Sequence, residues 1–181
     1  MKGATVIMLA VLAGVAVLFF ALRRDDAATV APPTVGEPTG TRTVELFFPR
    51  AGGGIAGEMR EVVAGEFVEE DVRRAIEELV TAGESGIAPL PPGTRLLNVY
   101  FDGEGEVTLN FSSDLRANHP GGSDAELATI QCIVSTLGVN FPGVDRVRLL
   151  VEGEAVPTLA GHVSLRDALH VRDYRETRKA E

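Results

Sequence analysis

The sequence has no tryptophan, two tyrosines and a single cysteine in 181 residues. The shortage of large flat rings leaves little with which to stack a sugar. Cys132, the lone cysteine, excludes an intramolecular disulfide and any multi-cysteine metal site. No cysteine stands near the N-terminus to carry a bacterial lipid anchor. The three histidines, His119, His162 and His170, do not fall at the short spacings of zinc motifs. Basic residues are outnumbered, 17 Lys and Arg against 26 Asp and Glu, for a net charge of −9 carried after the N-terminal segment. That argues against nucleic acid and against charge-driven docking on an anionic membrane. Ser112-Ser113-Asp114 lacks the flanking glycines of a hydrolase elbow. Asp102, Glu104 and Glu106 lack the spacing of an EF-hand. The glycine cluster Gly52–Gly54 lacks the Lys-Ser/Thr of a phosphate loop. The sequence therefore predicts no enzyme, and no catalytic, cofactor-binding or metal-binding residue.

What the sequence does contain begins with an apolar run. Gly3 to Leu22 has no charged residue, and Thr5 is its only hydroxyl. Twenty residues at about 1.5 Å each span about 30 Å, one bilayer core. Arg23 and Arg24 follow at once, without a cleavage site of small residues, so residues 1–24 read as an uncleaved transmembrane anchor. Residues 25–41, rich in Pro, Ala, Thr and Gly, have no hydrophobic periodicity and read as a disordered linker.

Residues 42–172 read as one α+β domain. Arg42 to Phe48 alternates as a strand, and a short edge strand is expected near Glu61 to Ala64. Glu69 to Ala82 forms an amphipathic helix with Val72, Ala75, Ile76, Leu79 and Val80 inward. Thr94 to Phe111 is a hairpin turning at Asp102 to Gly105. Ser123 to Gly138 is the central helix, opened by a Ser123/Glu126 capping box and closed by Gly138. No charged residue occurs between Glu126 and Asp145, so this helix is expected to be enclosed on most sides. Its small-residue back carries Cys132, either an inert buried thiol or one facing a partner. Arg146 to Val151 forms a further strand, followed by a short one near Glu154 to Pro157; residues 173–181 form a charged, fraying tail. The predicted architecture is a two-layer sandwich, two helices packed on a mixed β-sheet, preceded by one transmembrane helix.

Several stretches resemble the GerMN domain of bacterial sporulation and spore-germination proteins and of some actinobacterial lipoproteins. They are VELFFP at Val44 to Pro49, AIEELV at Ala75 to Val80, and PPGTRLLNVYFDGEGEVTLNFSSDL at Pro91 to Leu115. The GSDAELATIQCIVSTL helix, FPGVDRVRLLVEGE at Phe141 to Glu154 and TLAGHVSL at Thr158 to Leu165 complete the set. The resemblance covers nearly all of residues 42–172. It implies an exported, membrane-anchored domain that serves assembly of envelope complexes without enzymatic activity. Many relatives carry a lipidated cysteine where this chain has an apolar run.

The expected reading is a single-pass protein of the bacterial cell membrane, its C-terminal domain extracytoplasmic, working by protein–protein interaction. Its partners are envelope proteins or a second copy of itself, with the bilayer engaged through Gly3–Leu22 and no nucleic acid. The alternative is a module that binds peptidoglycan or another wall glycan. With the helices over the sheet face of Val44, Leu97, Leu109 and Leu149, the opposite face is predicted to present Phe47, Leu96, Tyr100, Arg146, Arg148 and Leu150 to a partner. The competing expectation is that the chain after Pro157 folds over that face.

Overall fold

The computed structural model describes residues 40–177. The expected anchor and nearly all of the expected linker lie outside the described residues. Among the described residues, no helix is long and apolar enough to cross a membrane. The elements in chain order are β1 (Thr41–Pro49), β2 (Ile55–Val63), α1 (Val68–Glu78), β3 (Leu96–Phe101), β4 (Glu106–Phe111), α2 (Asp114–Ala117) and α3 (Ser123–Asn140). They continue with β5 (Arg146–Val151), β6 (Glu154–Ala155), β7 (Leu169–His170) and α4 (Val171–Thr177).

The fold is α+β, but its strands form two sheets rather than one. β1 and β2 make an antiparallel hairpin of nine residues a side, so β2 is far longer than the short edge strand expected. The other five strands run β3-β4-β5-β6, with β7 also on β5; β4 and β5 are parallel and the remaining pairs antiparallel. β1 cannot join this sheet because α3 occupies its second edge. The Phe47 N–H donates to Thr136 Oγ1 at 3.1 Å, and the Glu45 backbone is held by the Asn140 side chain.

One buried core joins the two sheets. Val44, Leu46 and Phe48 of the hairpin share it with Val72, Ala75 and Ile76 of α1 and with Ile130, Ile133, Val134 and Leu137 of α3. Val107, Leu109 and Phe111 of β4 and Val147, Leu149 and Val151 of β5 complete it. Arg42 of β1 is paired with Asp71 of α1, which also accepts from the Gly65 N–H, so the first turn of α1 is fixed to the hairpin end.

α3 departs from its predicted ends for clear reasons. Gly122, at φ 86°, is the residue before the first turn, and no side chain caps the helix. Ser123 is already helical, so the expected capping box does not form. Gly138 is buried inside the helix, which runs on to Asn140 and stops before Pro142, a residue without an N–H to continue it. Cys132 is fully buried, which overturns the partner-facing thiol. At the C-terminus, Val171 is buried and Tyr174 packs against the core, so much of the expected tail is the helix α4.

Candidate interaction surface

The sheet face turned away from the core is set by strand alternation. On β5 it carries Arg146, Arg148 and Leu150; on β4, Glu106, Thr108 and Asn110; on β3, Asn98 and Tyr100. Cross-strand pairing places Tyr100 beside Thr108 and Thr108 beside Arg148, in one row across three strands. A second row runs Asn98, Asn110, Leu150 and Ala155. Tyr100 is 55% exposed, and Leu150, Arg146 and Arg148 are half-buried.

The two arginines do not stand free. Arg148 Nε donates to Glu106 Oε1 at 2.7 Å, and Arg146 Nε donates to Glu106 Oε2 at 3.3 Å. Arg146 also lies 3.6 Å from Asp102. The Arg148 hydrogen bond is the main reason the Glu106 carboxyl lies below its usual range, against a smaller opposing effect of burial and with Arg146 assisting. The Glu106 and Glu104 amides, more than Arg146, hold the Asp102 carboxyl down. The row is therefore a neutralised arginine–glutamate strip bordered by an exposed phenol.

Two of the six predicted surface residues are not on it. Leu96 is 7% exposed and belongs to the core, because a β-bulge at Leu97 breaks the alternation and puts Leu96 opposite buried Phe111. Phe47 is 3% exposed and lies on β1, in the other sheet. Tyr100, Arg146, Arg148 and Leu150 do share one face. Among the described residues, the chain after Pro157 does not cross it. α4 packs against α3, and the loop from Leu159 to His162 is held by Glu126 of the same helix, both on the helical side.

That loop anchor is the residue that the sequence misassigns. Glu126 is fully buried, and its carboxylate accepts from the N–H groups of Leu159 at 2.8 Å, Ala160 at 2.9 Å and His162 at 2.8 Å. Burial alone would raise its pKa, but the amides of Ala160, His162 and Leu159 outweigh burial and hold it below the usual value. Nearby, His119 Nδ1 accepts from the Gly121 N–H at 3.0 Å, and Nε2 lies 3.3 Å from Thr129 Oγ1. The Thr129 hydroxyl donates to the Pro89 carbonyl at 2.7 Å, so it accepts from Nε2 and the imidazole is the neutral Nε2–H tautomer.

An apolar groove of about 460 Å³ runs between the Pro89–Pro92 loop and Ala125 and Ala128 of α3. Among the described residues, no three His, Cys, Asp or Glu side chains converge on a metal-sized site.

The geometry agrees with what the chain resembles. A comparison with curated proteins finds no match. Among solved structures, the tandem GerMN domains of the sporulation protein GerM from Bacillus subtilis superpose with a TM-score of 0.63 at 22% identity, over 74% of this chain. This chain covers 48% of that tandem, about half its length. The first GerMN domain of the same protein gives 0.61 at 21% identity, covering 73% of this chain and 99% of that one. A putative lipoprotein from Clostridium perfringens gives 0.52 at 19% identity, covering 74% and 89%. At these identities the likeness is one of fold. The model of the family described as "Germane: Sporulation and spore germination" matches residues 45–157, more than half of the chain, and the chain belongs to that family.

Proposed function

We propose that this protein is a membrane-tethered, extracytoplasmic, non-enzymatic interaction domain that assists assembly of a cell-envelope complex of the sporulation or germination type. The observation that carries the reading is the outer face of the five-stranded sheet, which no described residue covers. Tyr100 stands out from a strip whose charges already cancel, Glu106 and Asp102 against Arg146 and Arg148. An exposed aromatic beside satisfied charged groups is cheap to desolvate, as the centre of an interface must be. Family membership supports the sporulation or germination setting. The uncharged run Gly3–Leu22 supports the tether.

The test is cross-linking of the intact protein in its own membrane, followed by identification of what is captured. The reading expects envelope proteins, and Tyr100→Ala to weaken their capture without lowering the melting temperature. Arg148→Glu is expected to weaken capture as well, with a lowered melting temperature because it sets a second carboxylate beside Glu106. Saturable pelleting of the protein with purified cell wall, with capture unchanged by either variant, would favour a wall-glycan module instead. Protection of the domain from protease added to intact cells would overturn the extracytoplasmic placement.

A further inference from the structure

β3 is the outermost strand of the five-stranded sheet, and among the described residues half of its open edge has no protection. The Asp102 N–H donates to the Glu106 carbonyl at 3.1 Å, so that pair stands at a bonded position of the ladder, with the Glu106 N–H taken by Asp102 Oδ1 at 2.9 Å. Antiparallel alternation then makes Tyr100 with Thr108, and Asn98 with Asn110, the next bonded pairs. β4 agrees: its Gly105 carbonyl, one residue before the strand, accepts from Asp145 and Arg146 on the β5 side, so its even-numbered residues face β3. The N–H and C=O groups of Val99 and Phe101 consequently point away from the sheet. Neither residue's backbone has a hydrogen bond outside that ladder among the described residues.

Native edges are usually blunted by lysine, proline or a covering element. Leu96 to Phe101 contains no charged residue and no proline. Among the described residues, its safeguards are the bulge at Leu97 and Arg73 of α1, which donates to the carbonyls of Leu96 at 2.6 Å and Leu97 at 3.2 Å. They block the first half of the strand and leave the second half open.

We infer that this half-edge pairs with the same edge of a second copy of the chain, antiparallel about a two-fold axis at Tyr100. That register uses all four open groups. Val99 of each copy exchanges two hydrogen bonds with Phe101 of the other, and neither meets the residues that Arg73 occupies. Moving the axis to Val99 brings Phe101 against the blocked Leu97, and moving it to Phe101 leaves Val99 opposite the turn. Tyr100 then faces its own copy across the close, non-bonded pair, which removes the exposed phenol from water. On the other face, half-buried Val99 and Phe101 meet and extend the core across the axis. Beyond the bulge, Arg95 of one copy approaches Glu104 of the other. Both are exposed, and neither is in an ion pair among the described residues. The contact is short, so it belongs to the weak class below about 1,200 Å².

This inference names a partner for the interaction role proposed above and rests on that reading. The experiment uses the full-length protein in its own membrane with Tyr100→Cys. Directly opposed residues of a non-bonded antiparallel pair have Cα atoms about 4.5 Å apart, within disulfide range. Mild oxidation is expected to shift most of the chain to twice its mass on a non-reducing gel. The wild type should not shift, because Cys132 is buried. Thr108→Cys, on the same face one strand inward, should not shift either. In detergent, Tyr100→Lys is expected to convert a dimer to a monomer by light scattering with an unchanged melting temperature. Absence of a Tyr100→Cys dimer, equal dimer from Thr108→Cys, or linkage of position 100 to a different protein would overturn the self-pairing. If envelope proteins are still captured when no dimer forms, the assembly role stands and only the self-pairing falls.

Discussion

The carboxamide of Asn140, near the end of α3, binds the backbone of Glu45 as a neighbouring strand would. The Glu45 N–H donates to Oδ1 at 2.9 Å, and Nδ2 donates to the Glu45 carbonyl at 2.7 Å. Nδ2 also donates to the Thr136 carbonyl at 2.7 Å, which ties the amide to its own helix. One side chain thus closes an edge that a strand could otherwise extend, and it keeps the hairpin out of the main sheet. Asn140→Ala removes both of these hydrogen bonds and is expected to cost about 2 kcal/mol. Asn140→Asp should cost at least as much, because it sets a carboxylate against the Glu45 carbonyl. Urea denaturation measures both losses, and the Glu45 amide should lose its protection from hydrogen exchange in each variant.

Glu126→Gln tests the loop anchor. A carboxylate offers lone pairs to all three amides, whereas a carboxamide turns an N–H₂ toward at least one of them. The loss is expected to be about 2 kcal/mol, the scale of bonds to a charged group. The pH dependence has a definite sign. The folded carboxyl titrates below its ordinary 4.5, so its contribution is complete above that value and is lost as pH falls through the folded pKa. Urea midpoints for the wild type should therefore fall steeply below pH 4.5, and those for Glu126→Gln should fall less.

The elements that sequence made legible are those set by local periodicity. Val107, Leu109 and Phe111 alternate without interruption, and Val72, Ala75 and Ile76 recur at helical spacing, so the hairpin stands where expected and α1 begins where expected, although it ends at Glu78 rather than Ala82. Three features depend on partners far along the chain. The bulge at Leu97 shifts Leu96 from the outer face to the core, and a run of apolar residues does not show where a strand slips. Ser123-x-x-Glu126 reads as a capping box, but Glu126 bonds residues 33 to 36 positions away. The split into two sheets depends on Asn140 reaching Glu45, a separation of 95 residues. For the candidate surface, alternation alone placed Tyr100, Arg146, Arg148 and Leu150 on one face. It did not foresee that Glu106 and Asp102 together neutralise the two arginines.

His119 supplies a second and separate acid response. Burial holds its pKa below the ordinary 6.5, and the charge of Glu126 offsets only part of that effect. Protonation would also put an N–H at Nδ1, where the Gly121 amide already donates. The folded state thus favours the neutral ring. Its contribution is complete above pH 6.5 and declines as pH drops from there toward the folded pKa. His119→Gln is expected to flatten the urea midpoint just below pH 6.5, while leaving the steeper fall that belongs to Glu126 below pH 4.5. An imidazole titrating at or above 6.5 in the NMR spectrum of the folded protein would contradict the assignment.

Cys132 sits inside α3 with no exposed surface, and burial pushes its thiol pKa far above the ordinary value. Both conditions suppress thiolate, the reactive form. In the native protein Cys132 is expected to resist a thiol-specific reagent that labels the unfolded chain completely. Its labelling rate should therefore report opening of the core around α3 rather than chemistry at the surface. Asn140→Ala gives an internal check. If the Glu45 clip helps hold α3 in place, releasing it should raise the labelling rate by about 30-fold, the factor that 2 kcal/mol implies when labelling requires global unfolding. An unchanged rate, with stability lowered as expected, would mean that Cys132 is reached through a local opening on the side of α3 away from the hairpin.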